Sequence, residues 1–104
     1  MSTGSAGERI TRRYRVSGRV QGVGFRWFVR ERARAIDLAG IVFNDDDGSV
    51  IVDVAGSRDQ ITRIEDVIAR GPQGAIVHDV SVVLDGDAAA AMLRALPYPF
   101  AIKR

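Results

Sequence analysis

From Ile10 to Ser17 the chain alternates: Ile10, Tyr14 and Val16 share one parity, and Thr11, Arg13, Arg15 and Ser17 the other. Arg12 interrupts the apolar set, but period two dominates and predicts a strand ending at Gly18. The period then changes. Phe25, Phe28, Val29, Ala33 and Ile36 follow at spacings of 3, 1, 4 and 3, one apolar stripe of a helix with Arg30, Glu31 and Arg34 on its other side. After Gly40, Ile41 to Phe43 predict a short strand. Asn44 to Gly48 predict a turn, with Asp47-Gly48 as its hairpin signal. Val50, Val52 and Val54, alternating with Ile51 and Asp53, give the returning strand. Ser57-Arg58-Asp59-Gln60 has the spacing of a capping box. Ile61, Ile64, Val67 and Ile68 form the stripe of a second helix, closed by Gly71 and Pro72. Ile76 to Leu84 predict a fourth strand. The alanine-rich segment 85–96 favours a short helical turn, and Pro97 and Pro99 confine the closing strand, Phe100 to Lys103, to an edge.

The expected order is therefore β-α-β-β-α-β with a short extra C-terminal edge strand. This is the ferredoxin-like α+β arrangement, with two helices on one face of a mostly antiparallel sheet. Residues 10–104 are expected to form one domain, and residues 1–9 a flexible N-terminal tail. Val42, Val50, Val52 and Val54 should face the helices. Ile41, Phe43 and Ile51 then make an apolar patch on the other face, expected to be covered by segment 85–96, the N-terminal tail or a second subunit.

Composition narrows the chemistry. The 104 residues are 46% hydrophobic and 27% charged, as in a globular domain. There is no Cys and a single His, which removes disulfides, thiolate nucleophiles, Cys-based zinc or iron–sulfur sites and any two-His metal site. A Ser-His triad has poor material. The formal charge of +2 suits an anionic small molecule and is weak support for nucleic acid. No apolar run reaches the ~18 residues of a membrane helix, and the polar N-terminus lacks the apolar core of a signal peptide. A cytoplasmic protein with no membrane partner is expected.

Between the first strand and the first helix lies Gly18-Arg19-Val20-Gln21-Gly22-Val23-Gly24. Glycines let backbone N–H groups converge, and the helix start adds the positive end of its dipole. Together they suit an anion such as phosphate. Arg26, in the first helical turn, can reach over that cradle with a fork that matches phosphate bidentately. The spacing is neither that of the Walker loop nor that of the dinucleotide fingerprint. Spacing alone leaves a phosphate cradle and a ligand-free strand-to-helix turn equally open.

The residue types add more. Val16 to Arg26 resembles the acylphosphatase signature: aliphatic, any, Gly, any, Val, Gln, Gly, Val, any, Phe or Met, Arg. Every fixed position matches. Gly40-Ile41-Val42-Phe43-Asn44, Gly48-Ser49-Val50 and Gly56 match the skeleton of that family's second signature. Ile41 departs from its usual aromatic, and Phe43 from its common Lys or Arg. The resemblance implies hydrolysis of the carboxyl–phosphate bond of acyl phosphates to a carboxylate and inorganic phosphate, with no metal and no organic cofactor. It assigns phosphoryl binding to Arg26 and to the loop of Gly18, Arg19, Val20, Gln21, Gly22 and Val23, and orientation of the attacking water to Asn44. The implied partner is a small-molecule acyl phosphate, and the implied state a monomer or weak homodimer. The alternative is a non-catalytic module that binds acyl or carbamoyl phosphate, or a regulatory ferredoxin-like domain. RNA recognition on this fold uses aromatics on the central strands. Here Tyr14 shares parity with the core-facing residues and the other central strand has none, so nucleic-acid binding is disfavoured.

The remaining polar and aromatic residues take plainer readings. His78 reads as a packed or edge imidazole, and Arg19 contributes its backbone. Gln21 is expected to support the loop by hydrogen-bonding it to itself rather than to touch substrate. Asp45, Asp46 and Asp47 form a solvated hairpin rather than a metal site, offset by Arg12, Arg13 and Arg15. Trp27 falls off the apolar stripe, which leaves two readings open: the mouth of the site, or cover for the neighbouring surface.

Overall fold

The computed structural model describes residues 8–104. Most of the expected N-terminal tail lies outside the described residues; its last two, Glu8 and Arg9, are exposed. In chain order the elements are β1 (Ile10–Arg19), α1 (Phe25–Ala35), β2 (Ala39–Asn44), β3 (Val50–Gly56), α2 (Arg58–Arg70), β4 (Ile76–Asp85), α3 (Gly86–Met92) and β5 (Ala101–Ile102). The five strands form one sheet in the order β4-β1-β3-β2-β5. All pairs are antiparallel except β2 with β5, where Ile41 faces Ala101 and Val42 faces Ile102. The βαββαβ order holds, and the segment after β4 is the expected short helix.

Register follows burial. Tyr14 lies opposite Val52 and Val16 opposite Val50. These residues join Val42 and Val54 in the core with Phe25 and Val29 of α1 and Ile61, Ile64 and Ile68 of α2. A one-residue slip would turn this whole set to solvent, and each such side chain contributes roughly 1.5–3 kcal/mol when fully buried. The capping box of α2 forms as expected. The Ser57 side chain accepts from the Gln60 amide at 3.2 Å, and Gln60 Oε1 accepts from the Ser57 amide at 2.8 Å. Among the described residues no helix is long and apolar enough to cross a membrane.

On the opposite face of the sheet the three apolar residues are not left open. Ile51 is buried, and Ile41 and Phe43 are half-buried. Over Phe43, however, stand two cations: the Arg13 guanidinium at 5.8 Å and the Lys103 ammonium at 5.1 Å from the ring centroid. The ring's negative face attracts cations, so the sheet's own side chains help to cover the aromatic that replaces a common Lys or Arg. Arg13 also grips the buried Asp53 carboxylate bidentately, at 2.7 and 2.8 Å.

Gly18 fixes the exit of β1. Its φ is 129°, and a Cβ there would stand 2.1 Å from the carbonyl oxygen of Ile76 on β4. The obstacle is backbone, so it cannot swing aside. Gly18→Ala is expected to destabilise the fold by at least about 2 kcal/mol. In thermal unfolding this appears as a Tm lower by roughly 8 °C or more; an unchanged Tm would contradict the tight approach.

Candidate active site

β1 carries the chain to Arg19, and α1 starts at Phe25. Val20 and Phe25, each 1% exposed, pin the two ends of the intervening loop into the core. Gly24 precedes the helix with φ 77°, left-handed backbone that glycine adopts without strain. It brings no side-chain cap, and the first turn of α1 holds no acidic residue. The amides of Gln21, Gly22, Val23 and Gly24 find no backbone acceptor among the described residues. Open N–H groups thus gather at the positive end of a helix dipole, which is a setting for an anion.

The loop is tied to the β2–β3 hairpin. Gln21 Nε2 donates to the carbonyl oxygens of Asp45 at 2.8 Å and Ser49 at 2.9 Å, so it supports the loop by bonding it to the hairpin and not to itself. Arg15 Nη1 holds the same hairpin through Asp45 Oδ2 at 3.0 Å, Asp47 Oδ2 at 2.6 Å and Ser49 Oγ at 3.0 Å. Hydrogen bonds from Ser49, and then Arg15, hold the Asp47 carboxyl below its ordinary range. Of the three cations expected to offset this acidic turn, only Arg15 forms ion pairs with it among the described residues. Arg12 pairs with Glu65 and Asp85, and Arg13 with Asp53.

With loop and hairpin fastened, Asn44, the last residue of β2, comes to the same cavity as Arg26. The cavity is open to solvent, about 280 Å³, and also lined by Val20, Gly22 and Gly24. Arg26 is half-buried and has neither a carboxylate nor a hydrogen-bond partner on the protein among the described residues. Its guanidinium is therefore available to a ligand. Asn44 pairs with Val50 through the backbone, which leaves its exposed carboxamide facing the cavity without disturbing the ladder.

Not every residue expected in the loop lines the cavity. Gly18 and Arg19 belong to β1, Gln21 turns to the hairpin, and Val23 packs against the core. The walls also include Trp27, Arg30, Ile102 and Arg104. Arg30 was legible in principle, since it lies four residues after Arg26 and so on the same helical face. Ile102 and Arg104 arrive through the parallel β2–β5 pairing, for which the sequence carries no local signal. His78 is exposed on β4, an edge strand remote from these residues in the sheet order.

The sequence profile of the acylphosphatase family matches residues 12–89. An acylphosphatase of Thermotoga maritima is 46% identical over 68 residues, which cover 65% of this chain and 76% of that relative. Among solved structures, the chain is similar to an acylphosphatase from Bacillus subtilis, with a TM-score of 0.77 and 34% identity over 91% of this chain and 99% of that one. It is also similar to part of full-length HypF in a phosphate- and nucleotide-bound form. There the TM-score is 0.74 at 25% identity, over 93% of this chain and 12% of that one. By the profile match, these identities and the shared fold, the chain belongs to the acylphosphatase family.

Proposed function

We infer that the chain hydrolyses the carboxyl–phosphate bond of acyl phosphates, releasing a carboxylate and inorganic phosphate. The observation that carries this reading is the half-buried Arg26, unpaired among the described residues, on one cavity with Asn44 and the open amides of the loop. Phosphoryl transfer leaves a protein little covalent work; positioning and charge stabilisation carry it. The loop amides and the Arg26 guanidinium take the phosphoryl oxygens and stabilise the charge that builds on them. The Asn44 carboxamide oxygen accepts a hydrogen bond from a water and so aims the water's lone pair at phosphorus, in line with the leaving group. That water oxygen bonds to phosphorus as the bond to the acyl oxygen breaks. The electron pair leaves on the carboxylate, and the water's proton passes to a phosphoryl oxygen. Asn does not ionise in this range, so it orients rather than deprotonates. A carboxylate leaves readily and needs no protein acid, which fits a cavity wall with no Asp, Glu or His among the described residues.

The same reading makes residues 10–104 one catalytic domain. It makes the protein cytoplasmic, a monomer or weak homodimer, with small anions as partners rather than nucleic acid or a membrane. The test is hydrolysis of benzoyl phosphate with and without EDTA. The expected result is turnover at the same rate in both. Activity lost to EDTA and restored by a divalent cation would overturn the metal-free mechanism. The likeness to a small part of HypF gives the binding-module reading a specific basis. Phosphate binding without turnover would favour it.

A further inference from the structure

Trp27 is the single tryptophan of the chain and is 59% exposed. It sits in the first turn of α1, whose buried residues are Phe25, Val29 and Ala33, and it takes no part in the core. A lone exposed apolar residue is ordinary. This one, however, lines the cavity that holds Arg26 and Asn44. The cavity is about 280 Å³, and its wall runs from the loop glycines Gly22 and Gly24 on to Trp27, Arg30 and Arg104, so it extends beyond the amide cradle. The acyl portion must occupy that remaining space, and the indole is the largest flat apolar surface bordering it. Arg26 and Arg30 are its neighbours on the wall, and no Asp or Glu lines it among the described residues.

We propose that Trp27 is the platform for the acyl group and a specificity-determining residue, favouring acyl phosphates whose acyl part is flat and aromatic over small aliphatic ones. This rests on the acylphosphatase reading. Offset stacking of an aryl group on the indole adds an attraction that a methyl group cannot match. It acts in binding and in orienting the anhydride, while the chemistry stays with Arg26 and Asn44.

Two measurements test it. The first compares kcat/KM for benzoyl phosphate and acetyl phosphate in the parent protein, Trp27→Ala and Trp27→Phe. Trp27→Ala is expected to lose about tenfold on benzoyl phosphate, equivalent to about 1.4 kcal/mol, and less than about twofold on acetyl phosphate. Inhibition by inorganic phosphate should not change, and Trp27→Phe should recover most of the loss. The second uses the fluorescence of this single tryptophan. Phenacylphosphonate, a stable analogue with a methylene in place of the bridging oxygen, should alter the emission; acetonylphosphonate and inorganic phosphate should not. Equal losses on both substrates, or equal emission changes with both phosphonates, would overturn the proposal and leave the acylphosphatase reading standing. If the parent protein hydrolyses neither substrate while phenacylphosphonate alone changes the emission, the platform stands as a binding site and the acylphosphatase reading falls.

Discussion

Arg26→Ala is expected to lower benzoyl phosphate hydrolysis by at least about 100-fold while leaving the protein folded. Arg26 is half-buried and unpaired among the described residues, so the fold loses no ion pair, and surface changes of this kind usually cost within about 0.5 kcal/mol. The reaction loses a fixed donor to the oxygens on which charge develops, and removal of one such donor typically costs about 2.7–4 kcal/mol in the transition state. Arg26→Lys restores the charge but not the fork, so it should recover only a fraction of the rate. Turnover numbers measured beside Tm check this. A folded Arg26→Ala protein with near-normal turnover would show that the guanidinium does not bind the phosphoryl group.

Asn44→Ala should separate chemistry from binding. The expected result is a kcat lower by about 100-fold, the usual cost of misplacing a reacting group. The inhibition constant of inorganic phosphate should move less than about threefold. Asn44 touches the ladder only through its backbone opposite Val50, so β2 should keep its register. An interaction made with the attacking water belongs mainly to the transition state, which is why kcat carries the loss. A large rise in the phosphate inhibition constant with kcat preserved would instead make Asn44 a phosphate ligand.

Much of this could be read from residues whose local physics leaves few choices. Ser57 and Gln60 stand at capping-box spacing and form one. Period two along β1 and β3 places Tyr14, Val16, Val50, Val52 and Val54 in the core. Gly18 was visible as a break, but not its cause. Its lack of a Cβ lets β4 pass close by, and that is a contact between residues far apart in the chain.

The candidate site was legible where its parts are local, and less so where they meet. The loop and Arg26 are contiguous in sequence. The fastening of the loop to the hairpin by Gln21 was read only as support, because its acceptors, the carbonyls of Asp45 and Ser49, are set by tertiary packing. Charge balance failed in detail for a similar reason. Arg12, Arg13 and Arg15 look interchangeable along the strand. Alternation sends Arg13 and Arg15 to the open face, where register hands them to Asp53 and to the hairpin. Arg12 goes to Glu65 of α2 and to Asp85. The expected cover for Phe43 omitted Lys103, which the β2–β5 pairing brings to the ring.

The central claim is that water, oriented by Asn44, attacks phosphorus in a phosphoryl group held by the loop and Arg26. Hydrolysis of benzoyl phosphate in water enriched in oxygen-18, followed by mass spectrometry of both products, tests it most directly. The label is expected in inorganic phosphate, with benzoate unlabelled. Label in benzoate would mean attack at the carbonyl carbon, and would contradict the roles given to the loop, Arg26 and Asn44 together.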